Sequence, residues 1–285
     1  MLMTAKILNG KKIAEKNLEG IFHDLVRLQE KNKRRPLKLA TLRAGNLKDA
    51  TLYETYLKKL LARLGIAHVV CVLPQSASEK KVISVIHRFN QDSGISGIMV
   101  FSPLPRNADP ANVFDHIDRL KDVEGRTFLK SHFGVFSPTA HAVMTLVHAT
   151  GNHLAGKEAV VVGHSDLVGK PTAVLLSDHL ATVTVCHKET KDLRSHVARA
   201  DILVAAAGKA RLIQGSWIKK GAVVIDVGEN VVKGKLVGDV DFEGARKRAS
   251  YLTPVPGGVG PVTNVMLIKN LIKLYQLQKD HRGNH

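Results

Sequence analysis

Three groups of residues in this chain have types and spacing suited to chemistry. The first is Gly163-His164-Ser165-Asp166-Leu167-Val168-Gly169-Lys170-Pro171, which follows an apolar, strand-like run and opens a helix. A glycine-bearing strand-to-helix turn presents backbone N–H groups and a helix dipole, and both suit a pyrophosphate. The full GxGxxG pattern is not met, because Ser165 stands where the second glycine would be. The second group is Tyr251 to Thr263, where Pro254, Pro256, Gly257, Gly258, Gly260 and Pro261 follow one another closely. Proline fixes φ and glycine permits close backbone approach, so this segment is expected to be a shaped loop against which a flat ring can lie. The third group is polar and aromatic: Tyr53, Phe101 before Ser102-Pro103-Leu104-Pro105, and Glu124 within Lys121-Asp122-Val123-Glu124-Gly125.

The elements that must position these residues are legible from periodicity. Gly10 to Lys31 has apolar residues near helical spacing, Leu37 to Leu42 reads as a short strand, and a helix from about Asp49 to Leu64 stops at Gly65, as a left-handed cap does. Strand Ala67–Leu73, a helix through 78–90 and strand 97–101 follow, and a further helix covers about 139–149. Beyond it, Glu158–Val162, Ala181–Cys186, 201–207 and 222–227 are β-rich apolar runs about twenty residues apart, the spacing of a buried parallel sheet with crossover helices. The last helix is expected from Val265 to Leu277, with a frayed basic tail from about Lys279.

In such a sheet the end of the second strand sets dinucleotide preference, since NAD-specific folds place Asp or Glu there against the ribose diol. Here it reads Cys186-His187-Lys188-Glu189. Lys188 can pair with a 2′-phosphate and His164 can assist, while Glu189 acts the other way, which gives a mild preference for NADP over NAD. The small residues Ala207 and Gly208 end the next strand and let a ribose or nicotinamide approach.

Composition bounds the rest. The chain has 285 residues with 44% hydrophobic content, enough for two domains. It has no apolar run near 18 residues and no charged-then-apolar leader, so it reads as a soluble, cytoplasmic protein. Cys71 and Cys186 lie in strand-like runs without CxxC spacing and read as reduced core thiols. The 14 histidines form no metal-ligand pattern, so no metal is expected. The formal charge of +17 has no nucleic-acid motif beside it, and anionic small molecules or a basic proteome background account for it equally well. Its densest run, Lys31 to Arg35, reads as a solvated helix end.

The Pro-Gly segment resembles the signature of the bifunctional methylenetetrahydrofolate dehydrogenase/cyclohydrolase family, and the resemblance extends over nearly the whole chain. Gly-x-Ser-x-x-Val-Gly-x-Pro from Gly163 to Pro171 matches that family's form of the dinucleotide loop. The resemblance implies two α/β domains around a cleft. Residues 1–138 would be a folate-binding catalytic domain and 139–263 a Rossmann-like NAD(P)-binding domain with a parallel sheet, with helix 264–285 packing back on the first. It also implies a homodimer, a folate substrate and a nicotinamide dinucleotide held by Gly163, His164, Ser165, Val168, Gly169, His187, Lys188, Ala207, Gly208, Gly228, Gly260 and Thr263. NADP-using members are expected to carry Arg at the His164 position and Ser at the Lys188 position, and this chain departs at both.

The folate side departs further. Against the family's Ser-x-x-Tyr-x-x-x-Lys motif, Tyr53 falls on the tyrosine, Ala50 on the serine and Leu57 on the catalytic lysine. Phe101 takes the glutamine position, and Glu124 stands where Asp is expected. Tyr53 and Glu124 are the remaining catalytic candidates; Leu57, Phe101, Pro103, Leu104, Pro256, Gly257 and Gly258 would complete the folate wall. Hydrolysis of a methenyl carbon needs a positioned acid or base, which Leu57 and Phe101 cannot supply. Hydride transfer mainly needs the two reacting carbons held together. Lys58 is one helical step of about 100° from Leu57 and projects away from the Tyr53 face, so it is no substitute. The expected activity is NAD(P)-dependent oxidation of 5,10-methylenetetrahydrofolate with cyclohydrolase lost. The alternatives are a bifunctional enzyme using another proton-transfer group, or a non-catalytic folate- or nucleotide-binding protein.

Overall fold

A computed structural model describes residues 4–31, 36–126 and 134–283. Of the basic run read as a solvated helix end, residues 32–35 lie outside them. In chain order the elements are β1 (Lys6–Ile7), α1 (Gly10–Lys31), β2 (Lys38–Ala44), α2 (Lys48–Arg63), β3 (Ala67–Leu73), α3 (Glu79–Gln91), β4 (Gly97–Val100), α4 (Pro110–Asp115) and α5 (Pro138–His148). There follow β5 (Glu158–Val162), α6 (Gly169–Asp178), β6 (Thr182–Cys186), α7 (Leu193–Arg199), β7 (Ile202–Ala205), β8 (Val223–Asp226), the hairpin β9 (Asn230–Val232) and β10 (Lys235–Val237), α8 (Phe242–Arg246), β11 (Tyr251–Leu252) and α9 (Val259–Gly283). The chain divides into two compact units, one of residues 1–17 and 137–266, the other of 18–136 and 267–285.

The first unit is a six-stranded sheet in the order β1-β11-β8-β7-β5-β6, parallel throughout. Strands β5, β7 and β8 are buried on both faces, which is why their sequence is a continuous apolar run rather than an alternation. Val160, Val162, Leu203, Ala205 and Val224 face one core with Ile213, Ile218 and Ala245. Because β6 lies on one side of β5 and β7 on the other, strand order reverses at β5. In doubly wound sheets that switch point is where ligands bind, outside the carboxyl ends of the strands.

The second unit holds a parallel sheet in the order β3-β2-β4. Helix α3 buries Val82, Val85, Ile86 and Phe89, a helical i, i+3, i+4, i+7 stripe, and Ser78 caps its start by accepting the Lys81 N–H. The buried Lys121 ammonium closes its far end with bonds to the Phe89, Asn90 and Asp92 carbonyls. Gly65, at φ 66, follows α2 in the left-handed conformation expected of its cap. The late part of α9 packs here. Asn270 Nδ2 donates to the Val123 and Phe136 carbonyls, and Gln278 Nε2 to those of Ser96 and Leu120.

Three expectations differ from this arrangement. Residues 1–17 belong with the six-stranded sheet rather than with residues 18–136, because β1 pairs with β11 in register Lys6 to Tyr251 and Ile7 to Leu252. Helix α9 starts at Val259, inside the segment read as loop. Pro261 sits in its first turn, where a missing N–H leaves no intrahelical bond unmade. Its basic end is helical to Gly283 rather than frayed from Lys279.

Candidate active site

At the switch point the chain leaves β5 through Gly163, whose φ is +124, a region L side chains rarely adopt. A Cβ there would lie 2.1 Å from the Ala206 carbonyl oxygen, and one on Gly169 would lie 2.0 Å from the Gly163 carbonyl oxygen. Both glycines are therefore required by close backbone approach, and together they fold His164, Ser165 and Asp166 outward as an exposed turn at the start of α6. Ser165 Oγ accepts the Gly169 N–H at 3.4 Å, and Val168, at the helix start, carries no capping side chain. The Lys170 N–H is taken by the Ser165 carbonyl at 3.1 Å and Pro171 has no N–H, so what this turn offers an anion is close backbone approach and the positive end of the α6 dipole.

The ends of β5 and β6 bring His164 and His187 together, with ring centroids 5.4 Å apart. Lys188 beside them is exposed, and its contact with Glu189 is long at 3.8 Å, so it is held only weakly. At the end of β7, Ala207 and Gly208 are exposed, but their N–H groups point inward to the Asp239 carboxylate at 2.6 and 2.9 Å. This loop therefore offers a small surface rather than backbone donors. Gly228 is buried and donates its N–H to Asp226, so it too has no donor to present. A Cβ on Gly228 would lie 2.2 Å from Asp239 Oδ1, which is the reason for glycine there.

The Pro-Gly turn spans Thr253 to Gly258, between β11 and α9, and Gly257 has φ +100. The Gly257 carbonyl accepts the Gly10 N–H at 2.9 Å, and a Cβ on Gly10 would lie 1.7 Å from the Gly258 carbonyl oxygen. Pro256 is exposed and Gly258 buried. Gly260 and Thr263 lie in the first turns of α9, where the Thr263 hydroxyl donates to the Val259 carbonyl, a helical back-bond.

In the three-stranded unit, Tyr53 on α2 meets Phe101 after β4 edge to face, with centroids 5.9 Å apart and planes at 70°. Leu57, one turn along α2, is fully buried at 0% exposure, whereas Lys58 and Lys59 are exposed. The Val100 backbone hydrogen-bonds to the Glu124 carboxylate, bringing it to the same strand end. Pro103 is exposed, and Leu104 packs into the core with Leu42 and Val100 rather than forming an open wall.

Sequence reasoning missed what holds Glu124. Arg126 donates to its carboxylate from Nε at 3.2 Å and from a terminal nitrogen at 3.0 Å, and lies 3.6 Å above the Phe114 ring centroid. Burial pushes the Glu124 carboxyl up while the Arg126 guanidinium pulls it back. Also missed was the Arg43–Glu54 pair, 2.8 Å long with both side chains 10% exposed. Arg43 also binds the Gly45 carbonyl and Asn46, and so ties the end of β2 to the start of α2 that carries Tyr53. The only sequence signal was charge within otherwise apolar element faces.

Fold and site together define a two-unit α/β protein with a Rossmann-like dinucleotide-binding sheet. Residues 8–124 match "Tetrahydrofolate dehydrogenase/cyclohydrolase, catalytic domain" and residues 137–279 match the NAD(P)-binding domain of the same description. The chain belongs to the tetrahydrofolate dehydrogenase/cyclohydrolase family. It is 44% identical over 285 residues to the "Bifunctional protein FolD" of Acetivibrio thermocellus, covering 97% of this chain and 99% of that one. Among solved structures, the bifunctional FolD enzyme of Campylobacter jejuni superposes with a TM-score of 0.91 at 35% identity, over 96% of this chain and 99% of that one. The Trypanosoma brucei FolD, solved with NADP cofactor and an inhibitor, gives the same score and identity over 97% and 99%.

Proposed function

We propose that the protein oxidises 5,10-methylenetetrahydrofolate to 5,10-methenyltetrahydrofolate and releases the methenyl product without hydrolysing it. The observation that carries this reading is Leu57, fully buried one turn from Tyr53, with the Phe101 ring against Tyr53. Both positions that would hold and tune a proton-transfer group are apolar, so no side chain there can activate a water. The glycine cradle at Gly163 and Gly169, with the exposed turn between them, fits a dinucleotide pyrophosphate. A nicotinamide dinucleotide supplies the hydride acceptor. This chain's part is to orient: Tyr53 and the Glu124 carboxyl group, fixed by Arg126, would hold the pterin. The pterin amino group and ring N–H are donors, and the Glu124 carboxyl oxygens can accept from them.

The test is to mix protein, 5,10-methylenetetrahydrofolate and NADP⁺ or NAD⁺, and to follow reduced cofactor and methenyl product as separate spectral components. The expected result is methenyl product rising in step with reduced cofactor and decaying at the spontaneous rate. Its conversion to 10-formyltetrahydrofolate at an enzyme-dependent rate, as in a bifunctional enzyme, overturns the loss of hydrolysis. No reduction with either cofactor sinks the dehydrogenase.

NADP is the preferred cofactor in this reading, because His164, His187 and Lys188 gather at the β5 and β6 ends where a 2′-phosphate would lie. Lys188→Ala is expected to raise the KM for NADP⁺ about fivefold, the size of one exposed charge contact, and to leave that for NAD⁺ unchanged. Equal effects on both would remove Lys188 from the phosphate site. A cytoplasmic homodimer completes the proposal. Its supporting observation is an apolar surface on the three-stranded unit, with Leu52 (70% exposed) and Tyr56 on α2 and Val70 and Val72 on the edge strand β3.

A further inference from the structure

Two buried carboxylates tie together three loops at the carboxyl edge of the six-stranded sheet, and neither takes part in the reaction as proposed. Asp239 follows β10 and is 0% exposed. Its Oδ2 accepts the N–H groups of Ala207 (2.6 Å) and Gly208 (2.9 Å), and its Oδ1 accepts that of Lys209 (2.8 Å) and the Asn230 Nδ2 (2.9 Å). Successive backbone N–H groups converging on one point make a nest, a concavity built for an anion. Here the protein fills it with its own carboxylate, through charge-assisted bonds roughly twice as strong as neutral ones.

Asp226 ends β8 and is 4% exposed. Its Oδ1 accepts the N–H groups of Gly228 and Asp239, both at 3.0 Å, and its Oδ2 accepts that of Val240 at 2.9 Å. Its own N–H donates to Thr253 Oγ1 at 2.7 Å, at the first residue of the Pro-Gly turn. The chain of contacts therefore runs Thr253, Asp226, Asp239, then Ala207 to Lys209, across the ends of β11, β8 and β7. A Cβ on Gly238 would lie 1.9 Å from Asp226 Oδ2, so the backbone here is packed directly onto the carboxylate.

Burying two carboxylates this close is unfavourable. Burial pushes the Asp226 carboxyl up to about 7, the neighbouring Asp239 adds to that, and the backbone N–H groups pull the other way. A site that needed only filling is served as well by apolar side chains. What the carboxylates add is direction. Gly208 has φ +64 and nothing within 4 Å of its would-be Cβ, so packing alone does not fix this loop. With Asp239 in place its three amides turn inward.

We propose that Asp239 is a positioning residue for the dinucleotide, fixing loop 207–209 as the surface for the nicotinamide-ribose end, with Asp226 holding Asp239 and Thr253 in register. This rests on the dinucleotide reading of the Gly163–Gly169 turn. The test is Asp239→Asn, whose amide presents an N–H to donors that need an acceptor. Calorimetry would give the Kd for the intact dinucleotide and for its adenosine diphosphate half alone, ADP or the 2′-phosphorylated form. Steady-state rates would give KM for both substrates.

The expected result is intact dinucleotide bound about tenfold more weakly, the equivalent of one hydrogen bond, with KM following, and binding of the half-molecule and KM for folate within twofold of wild type. Asn230→Ala removes one of the four bonds to the Asp239 carboxylate, and the 3.3 Å bond to the Val237 carbonyl with it, and leaves the three nest amides in place. It should move the same constants in the same direction by about threefold, which keeps the test open if Asp239→Asn does not fold. Loss of affinity for dinucleotide and half-molecule alike marks a merely structural role and overturns the proposal, as does no change in either. A wild type that binds neither overturns the dinucleotide reading itself, and the positioning role with it.

Discussion

Replacing Leu57 by lysine and Phe101 by glutamine together is expected to raise methenyl hydrolysis about 100-fold over wild type, the lower range of what a positioned acid or base contributes. Leu57 shares the Tyr53 face of α2 at i+4, so a lysine there starts from the right side of the helix. The site is fully buried, and an ammonium transferred to it loses hydration. Its pKa falls toward the range where it exchanges protons with water at neutral pH, and the same desolvation costs about 3 kcal/mol or more of stability. Glutamine at 101 matters because it replaces an apolar ring with a partner for the amine. Phe101 packs on Tyr53 and Leu57 shares the Tyr53 face, so the two positions are close enough to couple and the two changes are expected to be more than additive. The measurement is decay of methenyl folate with and without each variant, together with a melting temperature to confirm folding. A folded double variant that hydrolyses no faster than buffer would overturn the proposal that these two positions decide hydrolysis. Hydride transfer should stay within about threefold, since it depends on holding carbons rather than on moving a proton.

Gly163→Ala should weaken dinucleotide binding about 100-fold or more and cost about 2–4 kcal/mol of stability. The added Cβ would lie 2.1 Å from the Ala206 carbonyl oxygen, which is backbone at the end of β7 and cannot rotate aside. Gly163 also donates its N–H to the Cys186 carbonyl, and the Ala206 N–H bonds to Val162, so the turn is sewn between β6 and β7. Relief requires parting the strand ends or turning the peptide, and either displaces the exposed 164–166 turn proposed to take the pyrophosphate. Gly156→Ala is the control for strain alone, having φ +73 with nothing within 4 Å of its would-be Cβ. It should lose about 1 kcal/mol and no affinity. Calorimetry with the preferred dinucleotide decides the matter. Wild-type affinity in Gly163→Ala would move the phosphate site elsewhere.

Gly163 and Glu124 were unequal in how far sequence could reach. Gly163 was visible because a turn glycine between an apolar strand and a helix is local, and its neighbours alone argue for it. Glu124 was visible as a carboxylate, but its state was not. Arg126 is only two residues away, yet the stacking of its guanidinium on Phe114 depends on where α4 packs. Leu104 sits in a sequence that suits a site wall, but the side chain turns into the core.

The sequence by itself determined the parallel strands β5 to β8, the helices α1 to α3 and the left-handed stop at Gly65. Each follows from side-chain periodicity or from one residue's backbone preference, which act over a few neighbours. Only the tertiary structure decided the pairing of β1 with β11, which moves residues 1–17 into the six-stranded unit, and the helical start at Val259. It alone also brought Asp239 onto the amides of Ala207 to Lys209, about 30 residues away in the chain. Two-residue strands and single carboxylates carry no periodic pattern, so their partners are chosen by which backbone donors remain unpaired once the larger elements have packed.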